Sequence, residues 1–146
     1  MTWELEDLIE NGVIALLGTR PALTGIPIRA YQDNSPAAAA AKLVVHAKPA
    51  KPLEANGPRN MVAIEILGVT HIPGDRDAAN NRTLYNQARA LIQELRQSPS
   101  TLTNQISSAT LVVDGVVPTP GDDGTTDDRK FIKVATADCF CTYNPV

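Results

Sequence analysis

The chain has 146 residues, 43% hydrophobic and 20% charged, ordinary values for one domain able to bury its own core. A net charge of −3 argues against a nucleic-acid binder, which presents a basic patch to phosphates. Lys42, Lys48 and Lys51 make a locally basic stretch, but no aromatic residues lie between them to stack on bases. The opening Glu4, Glu6 and Asp7 have the wrong sign for a secretion signal, and no apolar run approaches the roughly 20 residues of a membrane span. These features predict a soluble product of the cytosol with no membrane contact.

The first predicted element is a helix. Leu5, Leu8, Ile9, Gly12, Val13, Leu16 and Leu17 fall on one stripe, Thr2 is placed to cap it, and Gly18 and Pro21 end it. A short strand follows over Ile26 to Gln32. Pro27 makes it an edge strand, because proline cannot donate to a sheet ladder. Lys42 to Ala47 reads as the next strand. The proline-rich run from residue 48 to 60 shows no periodicity and is expected to be a long irregular loop.

Met61 to Ile72 reads as a long strand. The near-continuous apolar run through Val62, Ile64, Ile66, Leu67 and Val69 implies burial on much of both faces. A second helix is expected from about Asp77 to Gln97, with Leu84, Ala88, Leu91, Ile92 and Leu95 on its apolar side and arginines opposite. A short helical turn is expected between Pro99 and Ile106. Thr110 to Val117 and Phe131 to Tyr143 read as closing strands, joined through an irregular, acidic connection over residues 118–128. The order α–β–β–β–α–β–β predicts an α+β fold: one mainly antiparallel sheet of about five strands, with two helices packed on one face.

Little in this pattern points to chemistry. Asp122, Asp123, Asp127 and Asp128 cluster around Gly124, a composition that could bind calcium, but the spacing is not that of an EF-hand. A solvated hairpin tip is the simpler account. Cys139 and Cys141 lie two apart in a strand, about 6–7 Å from each other, too far for an easy disulfide. They offer only half the ligands of a structural zinc, with His46 and His71 distant in sequence. No glycine-rich phosphate loop is present, and no pair of carboxylates has surroundings that would tune it for acid–base work. The sequence predicts no enzyme, no cofactor and no metal.

Over its whole length the chain resembles the tail-terminator (tail-completion) proteins of long-tailed bacteriophages. The resemblance is carried by the helix Trp3 to Leu17 with Ile26-Pro27-Ile28-Arg29 after it, and by the strand Asn60 to Gly68. It continues through the helix Thr83 to Gln97 and the ending Arg129-Lys130-Phe131-Ile132-Lys133-Val134. The chain departs from a minimal member in the length of its loop at 48–60. The resemblance implies a structural virion protein assembled in the host cytoplasm: a homohexameric ring at the head-proximal end of the tail. Such a ring stops tail-tube polymerisation, joins the head–tail connector and, in a contractile tail, touches the sheath. A head-closure or neck adaptor is the neighbouring alternative, and a small calcium-dependent binding module is the alternative of a different class. For a ring contact the candidate residues are Glu54 and Arg59 in the first loop, Arg82 and Arg89 on the second helix, and Asp122, Asp123, Asp127 and Asp128 at the acidic tip.

Overall fold

A computed structural model describes residues 3–31, 41–71, 75–120, 125–127 and 130–144. The first helix, α1, spans Trp3–Gly18, with Glu4 and Glu6 in its first turn where carboxylates complement the helix dipole. Leu5, Ile9, Val13 and Leu17 are buried, so the predicted stripe is the face turned to the core. Beyond Gly18 the chain closes on itself through N–H donation from Thr19 to the Leu16 carbonyl, and a single 3₁₀ turn follows over Pro21–Leu23.

The sheet contains β1 (Ile28–Ala30), β2 (Ala41–Ala47), β3 (Lys51–Pro52), β4 (Arg59–His71), β5 (Leu111–Thr119), β6 (Thr125–Asp127) and β7 (Lys130–Tyr143). Its spatial order is β1-β2-β4-β7-β5, with β3 paired to β4 and β6 to β7. Every pairing is antiparallel except β1 against β2. The long pair β4–β7 runs in unbroken register from Arg59↔Thr142 to His71↔Lys130 and forms the spine of the molecule.

Three helices, α1, α2 (Asp75–Gln97) and α3 (Ser100–Ile106), lie on the same side of this sheet. The α+β class, the antiparallel sheet and the main element order are as the sequence predicts. The differences are small elements. The expected turn near residue 100 is a full short helix, ended by Ser107 in the left-handed conformation with its N–H on the Thr103 carbonyl. The expected irregular loop at 48–60 is largely a hairpin: Lys51 and Pro52 pair with Met61 and Asn60, and the Leu53 N–H donates to the Arg59 carbonyl. Its prolines sit where the outer edge needs no donor, so the strand pattern survives them. Likewise the connection at 118–128 is interrupted by β6, which takes up pairing with β7 where β5 leaves off.

Core side chains alternate along each strand: Leu43 and Val45 on β2, Val62, Ile64 and Ile66 on β4, and Ala135, Ala137, Cys139 and Cys141 on β7. Onto them α2 lays Leu84, Ala88, Leu91, Ile92 and Leu95, all buried. Two close approaches require glycine. A Cβ on Gly68 would stand 3.2 Å from the Leu84 Cβ, so α2 sits directly on the strand there. A Cβ on Gly12 would stand 2.7 Å from Ile106 Cγ1, which is where α1 and α3 touch. The ends of α1 and α2 are joined by Arg20, whose Nε donates to Gln87 Oε1 and whose Nη1 meets Glu94 Oε1 at 3.0 Å.

Two carboxylates of α1 sit against the core side of the sheet. Glu10 is buried and its Oε2 accepts the Ala47 N–H at 3.0 Å, satisfying the last donor of β2. Glu6 is less well served: its Oε1 is buried without a partner, and burial raises its pKa above the ordinary glutamate value.

Two expectations follow for stability. Glu10→Leu leaves a buried backbone donor unpaired and costs about 1–3 kcal/mol in a denaturant titration, whereas Glu10→Gln keeps an acceptor and costs less. For Glu6 the raised pKa means that its neutral form suits the fold better than the carboxylate. Its stabilising contribution is full below the ordinary glutamate pKa and is lost as pH rises through the raised value. Glu6→Gln therefore raises the melting temperature at neutral pH, and the gain disappears in acid below the glutamate range.

Candidate functional site

Because side chains alternate along a strand, each core residue of the sheet has neighbours on the opposite face. That face carries Val44 on β2, Met61, Leu67 and Val69 on β4, and Ile132, Val134 and Phe140 on β7. No helix among the described residues lies over it. Val112 and Val117 of β5 belong to the same face and are 51% and 49% exposed. A long two-strand spine with apolar side chains on both faces, covered on one only, is the main surface feature of the molecule.

Polar groups divide this bare face into two halves. Toward β2, His46 stacks on Tyr31 with ring centroids 4.1 Å apart. Glu65, opposite His46 in the ladder, takes contacts from His46 Nδ1 at 3.4 Å and Lys48 Nζ at 3.5 Å. Glu65 is thus matched on this half by His46 and Lys48. Toward β5 the charge is one-sided. Asp138 projects beside Val117, and Asp114, at the β-bulge between Val113 and Gly115, accepts only the Thr142 hydroxyl at 2.7 Å. Neither aspartate has a basic partner among the described residues.

The opposite sign appears on the outer side of α2. Arg82, Arg89 and Arg96 recur every seven residues, so they stand in one line along the helix, and all are exposed. None has a carboxylate partner among the described residues. Tyr85 lies beside this line, with the Arg89 guanidinium 5.7 Å and the Lys133 ammonium 4.4 Å from its ring centre. Each cation is attracted to the face of the ring. Tyr85 and Arg89 border an open cleft of about 230 Å³ whose far wall is Pro118, Thr119 and Pro120.

Of the residues singled out from sequence, Arg82 and Arg89 are exposed and close to each other on α2. Glu54 and Arg59 are exposed at the β3–β4 hairpin and face one another, with 4.0 Å between Oε1 and Nε. Their side chains are 49% and 63% exposed, so the pair contributes little to stability. Asp122, Asp123 and Asp128 lie outside the described residues. Asp127 ends β6 opposite Lys130, and its side chain is outside the description. The sequence reading missed Arg96, Lys133, Asp114 and Asp138. A seven-residue recurrence of arginine was visible and could have added Arg96. The other three lie on strands, and their facing depends on a register and a bulge that only pairing defines.

Comparison with known proteins bears on the fold. No protein-family model matches the chain, and no curated protein matches it by sequence. One solved structure, whose name says nothing of its role, aligns over 96% of this chain and 97% of its own at 14% identity, with a TM-score of 0.54. At that identity the likeness concerns the fold alone.

The two thiols carry no site. Cys139 and Cys141 are buried and unpaired, and the Cys141 Sγ–H points to the Asn60 carbonyl at 3.7 Å. Burial, followed by the nearby Asp114 charge, pushes the Cys141 thiol up to about 11, and burial raises Cys139 further. Among the described residues no group of histidine, cysteine and carboxylate side chains is placed to hold a metal. Both cysteines are thus expected to resist a thiol-reactive dye in the native protein and to react together on unfolding. Reaction of either one under native conditions would contradict this burial.

Proposed function

We infer that this protein is a structural ring-forming component of a phage tail, the terminator at its head-proximal end. The observation that carries the reading is the bare sheet face. An apolar face on which Leu67, Val134 and Phe140 are only part-buried, with Val112 and Val117 half-exposed at its margin, is what an assembly covers and a solitary domain does not maintain. Separate patches of opposite charge support contact between unlike surfaces of identical subunits, the arrangement from which closed rings are made. The resemblance in element order to tail terminators supplies the identity of the ring and its partners: the tail tube below, the connector above, and the sheath where the tail contracts.

A neck or head-closure adaptor would use the same kind of ring. Binding to isolated tail tubes distinguishes the two, since a terminator caps a tube end and an adaptor needs the connector first. A calcium-dependent module would use a monomer stabilised by the ion.

The expected result in solution is a discrete species of about six subunits, measured by light scattering coupled to size exclusion across a concentration series. Its melting temperature is expected to be the same with and without calcium. A monomer at every concentration, stabilised by calcium, would overturn the ring in favour of the binding module.

A further inference from the structure

Among the described residues no helix covers the bare face. Three features of the described residues select an occupant. The half of the face over β5 and β7 combines apolar side chains with Asp114 and Asp138, which form no ion pair among the described residues, Asp138 sharing a shallow pocket with Lys48. The outer side of α2 combines Tyr85 with Arg82, Arg89 and Arg96, cations that have no carboxylate beside them. The two surfaces lie on opposite sides of the sheet, since α2 rests on the helix-covered face of β4, β7 and β5. One copy therefore cannot satisfy both of its own surfaces.

We propose that the outer side of α2 in one copy of this chain covers the β5–β7 half of the bare sheet face in the next copy. This assignment rests on the ring reading and names the surfaces that would make the ring. Arginine suits such a contact because its methylene stem packs on apolar groups while the guanidinium reaches a carboxylate. Val117, Val134 and Phe140 supply the apolar ground, and Asp114 and Asp138 supply the acceptors. In the assembled state α2 lies between two sheets, its leucine stripe in its own core and its arginine line on the neighbour.

The competing occupant is a second bare face. Stacking two bare faces back to back would bring Asp114 and Asp138 of one copy toward the same residues of the other, a like-charge contact that disfavours association. It would also close on itself as a pair, leaving α2 unused. Contact between unlike surfaces repeats from copy to copy and closes when the rotation per step divides the circle.

The test uses the full chain and two double variants. Arg82→Glu with Arg89→Glu disables the α2 side, and Val134→Lys with Asp138→Lys disables the sheet side. Each alone is expected to lose the ring, with association weakened roughly a hundred-fold or more. Mixed in equal amounts they are expected to reassociate, because an intact α2 side meets an intact sheet face at one contact and glutamates meet lysines, with the charges exchanged, at the other. Reassociation also shows that both variants are folded. Rings that survive either double variant overturn the assignment while leaving the ring reading in place. Wild-type chains that form only pairs, kept by the α2-side variant and lost in the sheet-side variant, overturn it in favour of back-to-back stacking. A wild-type chain that never associates overturns the ring reading itself, and the assignment with it.

Discussion

The structure depends on the β4–β7 ladder and on the mismatch between its two faces. Over the thirteen paired positions from Arg59↔Thr142 to His71↔Lys130, side chains alternate between a face sealed by three helices and a face with none over it among the described residues. Burying the first face supplies the core: at roughly 25 cal/mol per Å² of apolar surface removed from water, the large aliphatic side chains of α1, α2 and the central strands dominate folding. The second face bears similar residue types, and the isolated chain leaves them half-covered. That surplus of apolar surface is the physical basis of the proposed assembly.

Placement of charge follows the same division. Where charged groups serve the fold, they are matched within the chain. Arg20 ties the end of α1 to Gln87 and Glu94 of α2, Glu10 accepts the Ala47 N–H, and Glu65 collects His46 and Lys48 on the β2 half of the bare face. The arginine line of α2 and the aspartates over β5 and β7 have no such partners among the described residues. Unmatched charge of opposite sign on opposite sides of the chain gives it a polarity, which favours the front-to-back contact proposed above. Desolvated charge pairs add specificity and register to a contact whose free energy comes mainly from apolar burial.

The edges of the sheet reinforce this view. The β5 edge is blunted: Thr103 Oγ1 accepts the Val113 N–H, a bulge follows at Asp114, and Pro118 offers no donor. At the other edge β1 is only three residues long, too short for an extended ladder with another chain. These devices limit strand-to-strand association. Faces, and not edges, are left as the broad surfaces open to a partner.

The sequence by itself determined the elements and their class. Periodicities of 3.6 and 2 located α1, α2 and the long strands, because the residues that pack into the core must recur with the geometry of the backbone that carries them. It also disclosed the tension in β4, whose continuous apolar run demanded cover on both faces. What only the tertiary structure decided is which faces those are. Three prolines and a glycine over residues 49–60 suggested a loop, but pairing with β4 made a hairpin, since a ladder tolerates proline at its outer edge. Lys133 and Asp138 look alike in sequence as isolated charges on a strand. Their opposite placement, one beside Tyr85 under α2 and the other on the bare face, follows from strand register, and register is set by contacts between residues distant in the chain.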